Sequence, residues 1–132
     1  MQTISLTSGQ IDELIRIAKD MLPDESCALL LGENNDVVKI LPMRNADESP
    51  VTFRIESTEL LHAYDLAQSE GLDIIAIFHS HPGKPSPSGT DRKFMEINPV
   101  TWLIFSTTEW QLKAYIYDDD VKQVLIRMTA TE

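Results

Sequence analysis

The stretch DIIAIFHSHPGKPSPSGTD, residues 73–91, joins the most apolar segment of the chain to two histidines, a proline-rich loop and an aspartate. A continuous apolar run of this length predicts a buried strand over 73–81, at the centre of a sheet. Side chains alternate along a strand, so His79 and His81 lie on one face and Ser80 on the other. Both imidazoles therefore point to the same side of the sheet where this strand ends.

Two imidazoles at this spacing can bind one metal ion. Zinc accepts imidazole nitrogen and carboxylate oxygen, and catalytic zinc sites typically use three protein ligands. His79, His81 and Asp91 supply such a set, and the three prolines of the loop restrict the path that returns Asp91 to the histidines. The same stretch also fits an ordinary helix start, with Ser88 as N-cap and Asp91 at position N3. Spacing alone leaves both interpretations open.

The remaining periodicity predicts an α/β (α+β) fold in which a mixed sheet is flanked by helices. Thr7 and Gln10 fit a capping box at the start of the first helix. Trp102 and Phe105 are expected in the core, and His62 on the surface. The length of 132 residues suits one domain, residues 1–132. Strands are predicted at 3–6, 27–32, 37–43, 51–55, 73–81, 101–107, 110–117 and 121–129, and helices at 7–20, 57–69 and 89–97.

Composition narrows the classes of function. The net charge of −10 repels phosphate backbones, so nucleic-acid binding is not expected. No apolar run reaches about 18 residues, so no membrane span is predicted. Cys27 is the only cysteine, which excludes an internal disulfide and a paired-cysteine zinc site. Its apolar surroundings predict a protonated thiol rather than a nucleophile. With no secretory signal recognised, the expected location is cytoplasmic.

Other enzymes that carry a His-x-His pair do not fit. Amidohydrolases place the pair on a barrel of about 250 residues, and nucleoside deaminases need a Pro-Cys-x-x-Cys zinc pair. The chain has no His-Glu-x-x-His, no Gly-x-Ser-x-Gly and no phosphate-binding Walker loop.

Three segments together resemble the JAMM (MPN+) metalloproteases: ESCALLLG at 25–32, HSHP at 79–82 and SGTD at 88–91. The resemblance covers most of the chain and implies the MPN/JAMM (cytidine-deaminase-like) fold. Nine residues separate His81 from Asp91, one fewer than in many members, and Ala28 stands where many have glycine. No segment is long enough for the large insertions of the eukaryotic enzymes. These features suggest a prokaryotic or archaeal type, similar to the proteasome-lid deubiquitinase and the desampylases.

The resemblance also implies a site and a substrate class. His79, His81 and Asp91 correspond to the ligands of one catalytic Zn²⁺ per chain, Glu25 to the general acid/base and Ser88 to the residue that stabilises the oxyanion. Family members cleave the bond after the C-terminal glycines of ubiquitin or ubiquitin-like proteins. The expected partners are such conjugates, including SAMP-like or sulfur-carrier proteins, and the proteasome.

Two alternatives remain open. The first is a peptidase that processes a ubiquitin-like sulfur-carrier protein in cysteine or cofactor biosynthesis. The second is a non-catalytic MPN scaffold, although members of that class have lost ligands. An extended substrate tail is expected to add to a sheet edge near the cleft, where Asn45 and Ser49 are candidate contacts.

Overall fold

The computed structural model describes residues 2–130, which form seven strands and three helices. Among these residues, none of the helices combines the length and the apolar character that a membrane span requires. In chain order the elements are β1 (Thr3–Thr7), α1 (Ser8–Met21), β2 (Cys27–Glu33), β3 (Asp36–Met43), α2 (Ser57–Ser69), β4 (Asp73–His81), α3 (Gly89–Ile97), β5 (Thr101–Ser106), β6 (Gln111–Asp118) and β7 (Asp120–Thr129).

The strands form one mixed sheet in the order β1-β3-β2-β4-β5-β6-β7, and the sheet closes into a barrel. The predicted central position of β4 is confirmed, because it pairs antiparallel with β2 and parallel with β5. Closure was not predicted from the sequence. It arises because β7 runs parallel to β1 along the whole of Thr3–Thr7, while β1 meets β3 only at the pair Ser5 and Asp36.

The two faces of the sheet bury different helices. Leu14 and Ala18 of α1 pack among the side chains of one face, including Phe78 of β4. Ala63 and Ala67 of α2 pack against the opposite face, which includes Ile77 of β4. Side chains packed with α1 on one face and with α2 on the other cover β4 along most of its length, as its apolar sequence requires.

The start of α1 follows the sequence prediction. The Thr7 side chain accepts a hydrogen bond from the Gln10 backbone N–H at 3.1 Å, and the Gln10 side chain accepts one from the Thr7 N–H at 2.9 Å. This capping box fixes the point where β1 turns into α1.

The predicted strand at 51–55 is wrong, because this segment belongs to the irregular connection between β3 and α2. The side chain of Asn45 makes hydrogen bonds along one edge of this segment. Its Oδ1 accepts from the backbone N–H of Arg54 at 3.1 Å, and its Nδ2 donates to the carbonyl of Thr52 at 2.9 Å. The alternating pattern of VTFRI reflects a segment with one side towards the protein and one towards solvent, without a partner strand.

Candidate metal and catalytic site

The end of β4 presents both histidines on the face that α2 covers. Ile77 packs in the α2 cluster, and His79 and His81 follow it at alternate positions. Ser80 points to the opposite side, where its hydroxyl lies 2.7 Å from the hydroxyl of Ser26 and accepts a hydrogen bond from the Ser26 N–H at 3.0 Å. These buried bonds join the end of β4 to the residue just before β2. The predicted orientation of the two imidazoles is confirmed.

The first turn of α3 brings Asp91 to the histidines. Ser88 is the N-cap: its hydroxyl accepts from the Asp91 N–H at 3.0 Å, and Asp91 Oδ2 accepts from the Ser88 N–H at 2.9 Å. The same Oδ2 lies 3.3 Å from His79 Nε2 and 3.8 Å from His81 Nε2. The Asp91 side chain therefore caps the helix and also lies close to both histidines.

The donor atoms lie close enough together to hold one metal ion. One ligand atom from each of His79, His81 and Asp91 lies within 4.8 Å of the others. Ligands at about 2.05 Å from a tetrahedral ion would be about 3.4 Å apart, close to both Asp91–histidine distances. His79 Nε2 and His81 Nε2 are buried and lack hydrogen-bond partners within the described chain, which is costly unless something else satisfies them. His81 Nδ1 lies 2.9 Å from the Pro82 carbonyl, so it donates there and leaves a lone pair on Nε2.

Glu25 lies beside this group although it is distant in sequence. In the antiparallel ladder between β2 and β4, Cys27 pairs with His79, so Glu25 comes opposite the end of β4. Its Oε1 is 3.5 Å from His79 Nδ1, and the residue is 6% exposed. Two buried carboxylates, Glu25 and Asp91, favour a compensating positive charge in the site.

The carboxylates also control proton binding at the histidine. Burial lowers the pKa of His79, but Asp91 and Glu25 outweigh this effect and the net pKa is raised from 6.5. Burial raises the pKa of Asp91, but His79 and the hydrogen bonds from Ser88 bring the net pKa below its ordinary value. A metal ion that binds His79 therefore competes with a proton for the ring nitrogen.

The proline loop is anchored to the β5–β6 side of the barrel. The Thr107 N–H donates to the His81 carbonyl at 3.0 Å, and the Gly83 N–H donates to the Thr108 hydroxyl at 2.8 Å. The Tyr115 hydroxyl donates to the Pro85 carbonyl at 2.8 Å. The loop that leads from the histidines to Asp91 is thus held by hydrogen bonds as well as by its prolines.

Sequence reasoning missed the aromatic environment of His79. The Phe53 ring stacks on the imidazole at a centroid distance of 4.7 Å and an interplanar angle of 22°, and Trp102 meets it edge-on at 5.9 Å. Trp102 and Phe105 are buried as predicted, but Trp102 also borders the site. His62 is exposed as predicted. No local signal identifies Phe53, because its segment reads as an ordinary strand.

The two predicted substrate contacts in the β3–α2 connection have internal roles. Asn45 is 1% exposed, and its amide is bonded within the chain, so a direct substrate contact by this side chain is wrong. The Ser49 carbonyl accepts a hydrogen bond from the Glu25 N–H at 2.8 Å. Cys27 is fully buried, and burial raises the pKa of its thiol to about 12, so the predicted protonated state is confirmed.

A cleft of about 440 Å³ opens beside the site. Glu25, His81, Ser88 and Asp91 line one part of it, and residues 50–54 form a wall. A second cavity of about 380 Å³, largely apolar, continues beyond Phe53 between α2 and the residues that follow α3. His81 and Asp91 of the candidate metal site border the cleft, which shares Phe53, Arg54 and Phe94 with the second cavity.

The sequence matches the family described as prokaryotic homologues of the JAB domain over residues 7–115. A desampylase from Pyrococcus furiosus is 39% identical over 99 residues, which covers 74% of this chain and 70% of that protein. The CysO-cysteine peptidase of Mycobacterium tuberculosis is 29% identical over 102 residues, 75% of this chain and 70% of that protein.

Solved structures show the same fold. A protein from Desulfitobacterium hafniense superposes with a TM-score of 0.84 at 30% identity, covering 97% of this chain and 94% of that one. A JAB1/MPN domain protein from Archaeoglobus fulgidus gives a TM-score of 0.63 at 20% identity, with 96% and 99% covered, and supports the fold alone. The family match, the desampylase relative and the fold agree with the resemblance in the sequence. This chain therefore belongs to the prokaryotic JAB family, of the JAMM/MPN type.

Proposed function

We propose that this chain hydrolyses the peptide or isopeptide bond after the C-terminal glycines of a ubiquitin-like modifier, with zinc bound by His79, His81 and Asp91. The observation that carries the proposal is the convergence of three ligand atoms, two of them unpartnered imidazole nitrogens, beside a cleft that His81, Asp91 and Glu25 line. The chain is an enzyme of the hydrolytic protease type, as its relatives named desampylase and CysO-cysteine peptidase indicate. Those names also support a ubiquitin-like substrate.

The chemistry follows from the charges around the cleft. A zinc ion in this position supplies a Lewis acid that polarises a carbonyl and acidifies water. Glu25, buried next to the ligands, takes a proton from the attacking water and delivers it to the leaving amine. Ser88 accepts a hydrogen bond from the Asp91 N–H and keeps its own hydroxyl proton, which it can donate to the developing oxyanion.

The sequence prediction placed an extended substrate tail at a sheet edge near the cleft, and we propose a different location for it. β4 has strands on both sides, so the sheet offers no edge next to the histidines. In residues 50–55, Thr52 and Arg54 are bonded to the Asn45 side chain. The backbones of Phe53 and Ile55 make no hydrogen bond to any other residue in 2–130. We place the tail against these free groups, where backbone bonding demands no particular side chains.

A second candidate substrate is a sulfur-carrier protein that carries a cysteine adduct, which the CysO-cysteine peptidase relative favours. The site would be unchanged and only the leaving group would differ. A non-catalytic scaffold fits poorly, because all three ligands and Glu25 are present. The proposed setting is the cytoplasm, where a lone free thiol is ordinary. The acidic surface disfavours nucleic acid as a partner.

Cleavage of defined substrates tests the proposal. Zinc-loaded protein is incubated with ubiquitin-like proteins linked to lysine, to a linear extension, or to cysteine, with and without a chelator. We expect cleavage after the glycines that the chelator abolishes. His81→Ala should lose both zinc and activity, whereas His62→Ala, which changes an exposed histidine outside the site, should keep both. If wild type retains zinc but cuts none of the three linkages, the proposed function is wrong.

A further inference from the structure

Asn45 is a buried polar side chain that connects two walls of the cleft. It is 1% exposed. Its Nδ2 donates to the Glu25 carbonyl at 3.0 Å and to the Thr52 carbonyl at 2.9 Å. Its Oδ1 accepts from the N–H of Asp47 at 3.0 Å and of Arg54 at 3.1 Å. Both amide hydrogens and both lone pairs of the oxygen are therefore used.

The backbone of Glu25 depends on these contacts. Glu25 precedes β2, which begins at Cys27, so the sheet ladder does not hold it. Its carbonyl bonds to Asn45, and its N–H bonds to the Ser49 carbonyl at 2.8 Å. Both backbone hydrogen bonds of Glu25 thus go to the connection between β3 and α2.

The same side chain also fixes the ring that covers a metal ligand. Phe53 lies between Thr52 and Arg54, whose backbone groups are both bonded to Asn45. The Phe53 ring stacks on His79 at 4.7 Å. A side chain that only closed its own loop would need no bond to Glu25, which lies 20 positions earlier in the sequence.

We propose that Asn45 is a positioning residue that holds the backbone of Glu25 and the ring of Phe53 as one unit against His79. The inference rests on the proposed function for its catalytic consequence, because Glu25 there transfers the proton. Asn45 contacts none of His79, His81 and Asp91, so its loss should affect the geometry of turnover more than the retention of metal.

Asn45→Asp gives the sharpest test, since it keeps the size and the acceptor oxygen but removes both donor hydrogens. We expect kcat to fall about 10²-fold, with zinc stoichiometry unchanged and a smaller change in KM. The matched control is Gln10→Ala, which removes another amide bonded at both ends to backbone groups, those of Thr7 and Val37. Gln10→Ala should lower the melting temperature but leave kcat within about twofold. Equal losses of kcat in the two variants would overturn the proposal.

Two spectroscopic measurements test the positioning role of Asn45 without an activity assay. Stacking beneath Phe53 should shift the His79 ring protons upfield in the NMR spectrum of zinc-loaded wild type, and Asn45→Asp should reduce that shift whereas Gln10→Ala should not. In wild type, the amides of Asp47 and Arg54 should exchange more slowly with solvent than that of Phe53. If the three exchange alike, or the His79 signals do not respond to Asn45→Asp, the positioning role is refuted. If wild type cleaves nothing, the proposed function fails while these measurements still stand.

Discussion

Replacing Glu25 with glutamine separates two roles that the structure allows for this carboxylate. Oε1 lies 3.5 Å from His79 Nδ1, so Glu25 is placed to orient this proposed metal ligand. It also lines the cleft, where it could transfer a proton. Glutamine retains an oxygen of the same geometry for the first role but cannot act as a base in the second.

The expected result of Glu25→Gln is a metal-bound protein with little turnover. General acid–base catalysis typically contributes about 10²–10⁴-fold, equivalent to roughly 3–5 kcal/mol of transition-state stabilisation. Zinc affinity should change by less than about tenfold, because the three proposed ligands are intact. Glu25→Ala should also release His79 Nδ1 from its neighbour and weaken zinc binding by a further 10–100-fold, the typical cost of losing such an outer contact.

The assay measures kcat on a linear ubiquitin-like fusion and zinc affinity by competition with a chelator, on the same preparations. If Glu25→Gln cuts within about threefold of wild type, the assignment of Glu25 as the base is wrong. If Glu25→Gln loses zinc as completely as His81→Ala, the carboxylate holds the metal site together instead of transferring a proton.

Three further predictions concern residues around the site and the hairpin. Tyr115→Phe removes the hydrogen bond to the Pro85 carbonyl. This substitution should lower the free energy of unfolding by about 1 kcal/mol and weaken zinc retention. An unchanged denaturation midpoint would contradict this prediction. Burial raises the pKa of the Cys27 thiol from 9.0 to about 12, so at pH 8 this thiol should form about 10³ times less thiolate than a free thiol. It should resist alkylation until guanidinium unfolds the protein. Fast labelling of the native protein would contradict this prediction. Gly32→Ala would drive its Cβ into the Asp36 carbonyl oxygen within the β2–β3 hairpin and should lower the free energy of unfolding by more than about 1 kcal/mol, measured by thermal unfolding. A stability equal to wild type would contradict this.

The convergence of His79, His81 and Asp91 could be predicted because these residues belong to one continuous stretch. Strand alternation places His79 and His81 together, and the capping box of Ser88 and Asp91 is encoded within four residues. Each of these relations is local, so periodicity and spacing are sufficient to find them.

The position of Glu25 depends on a long-range register that spacing cannot supply. β2 pairs with β4 so that Cys27 meets His79, and that register shifts at an irregularity between Leu30 and Leu31. A register displaced by one residue would turn Glu25 to the opposite face. Without the family resemblance, nothing distinguished this carboxylate from the other acidic residues.

Two features of the fold could not be predicted from local sequence patterns: the closure of the barrel, and the absence of a strand at 51–55. The β1–β7 pairing joins segments from opposite ends of the sequence, and no local pattern encodes such a contact. At 51–55 the alternating pattern was real, but Asn45 bonds the backbone that a partner strand would need. A buried amide outside the segment therefore occupies one edge of it, and no strand within residues 2–130 pairs with the opposite edge.

The site straddles β4, and its two sides are anchored to different parts of the barrel. Asp91 and the proline loop depend on the β5–β6 side through Thr107 and Tyr115. Glu25 depends on the β3–α2 connection through Asn45. β4 lies between these two supports and pairs with both β2 and β5. Because the loop that leads to Asp91 and the backbone of Glu25 are bonded to different parts of the chain, metal retention and proton transfer should be separable properties of this fold.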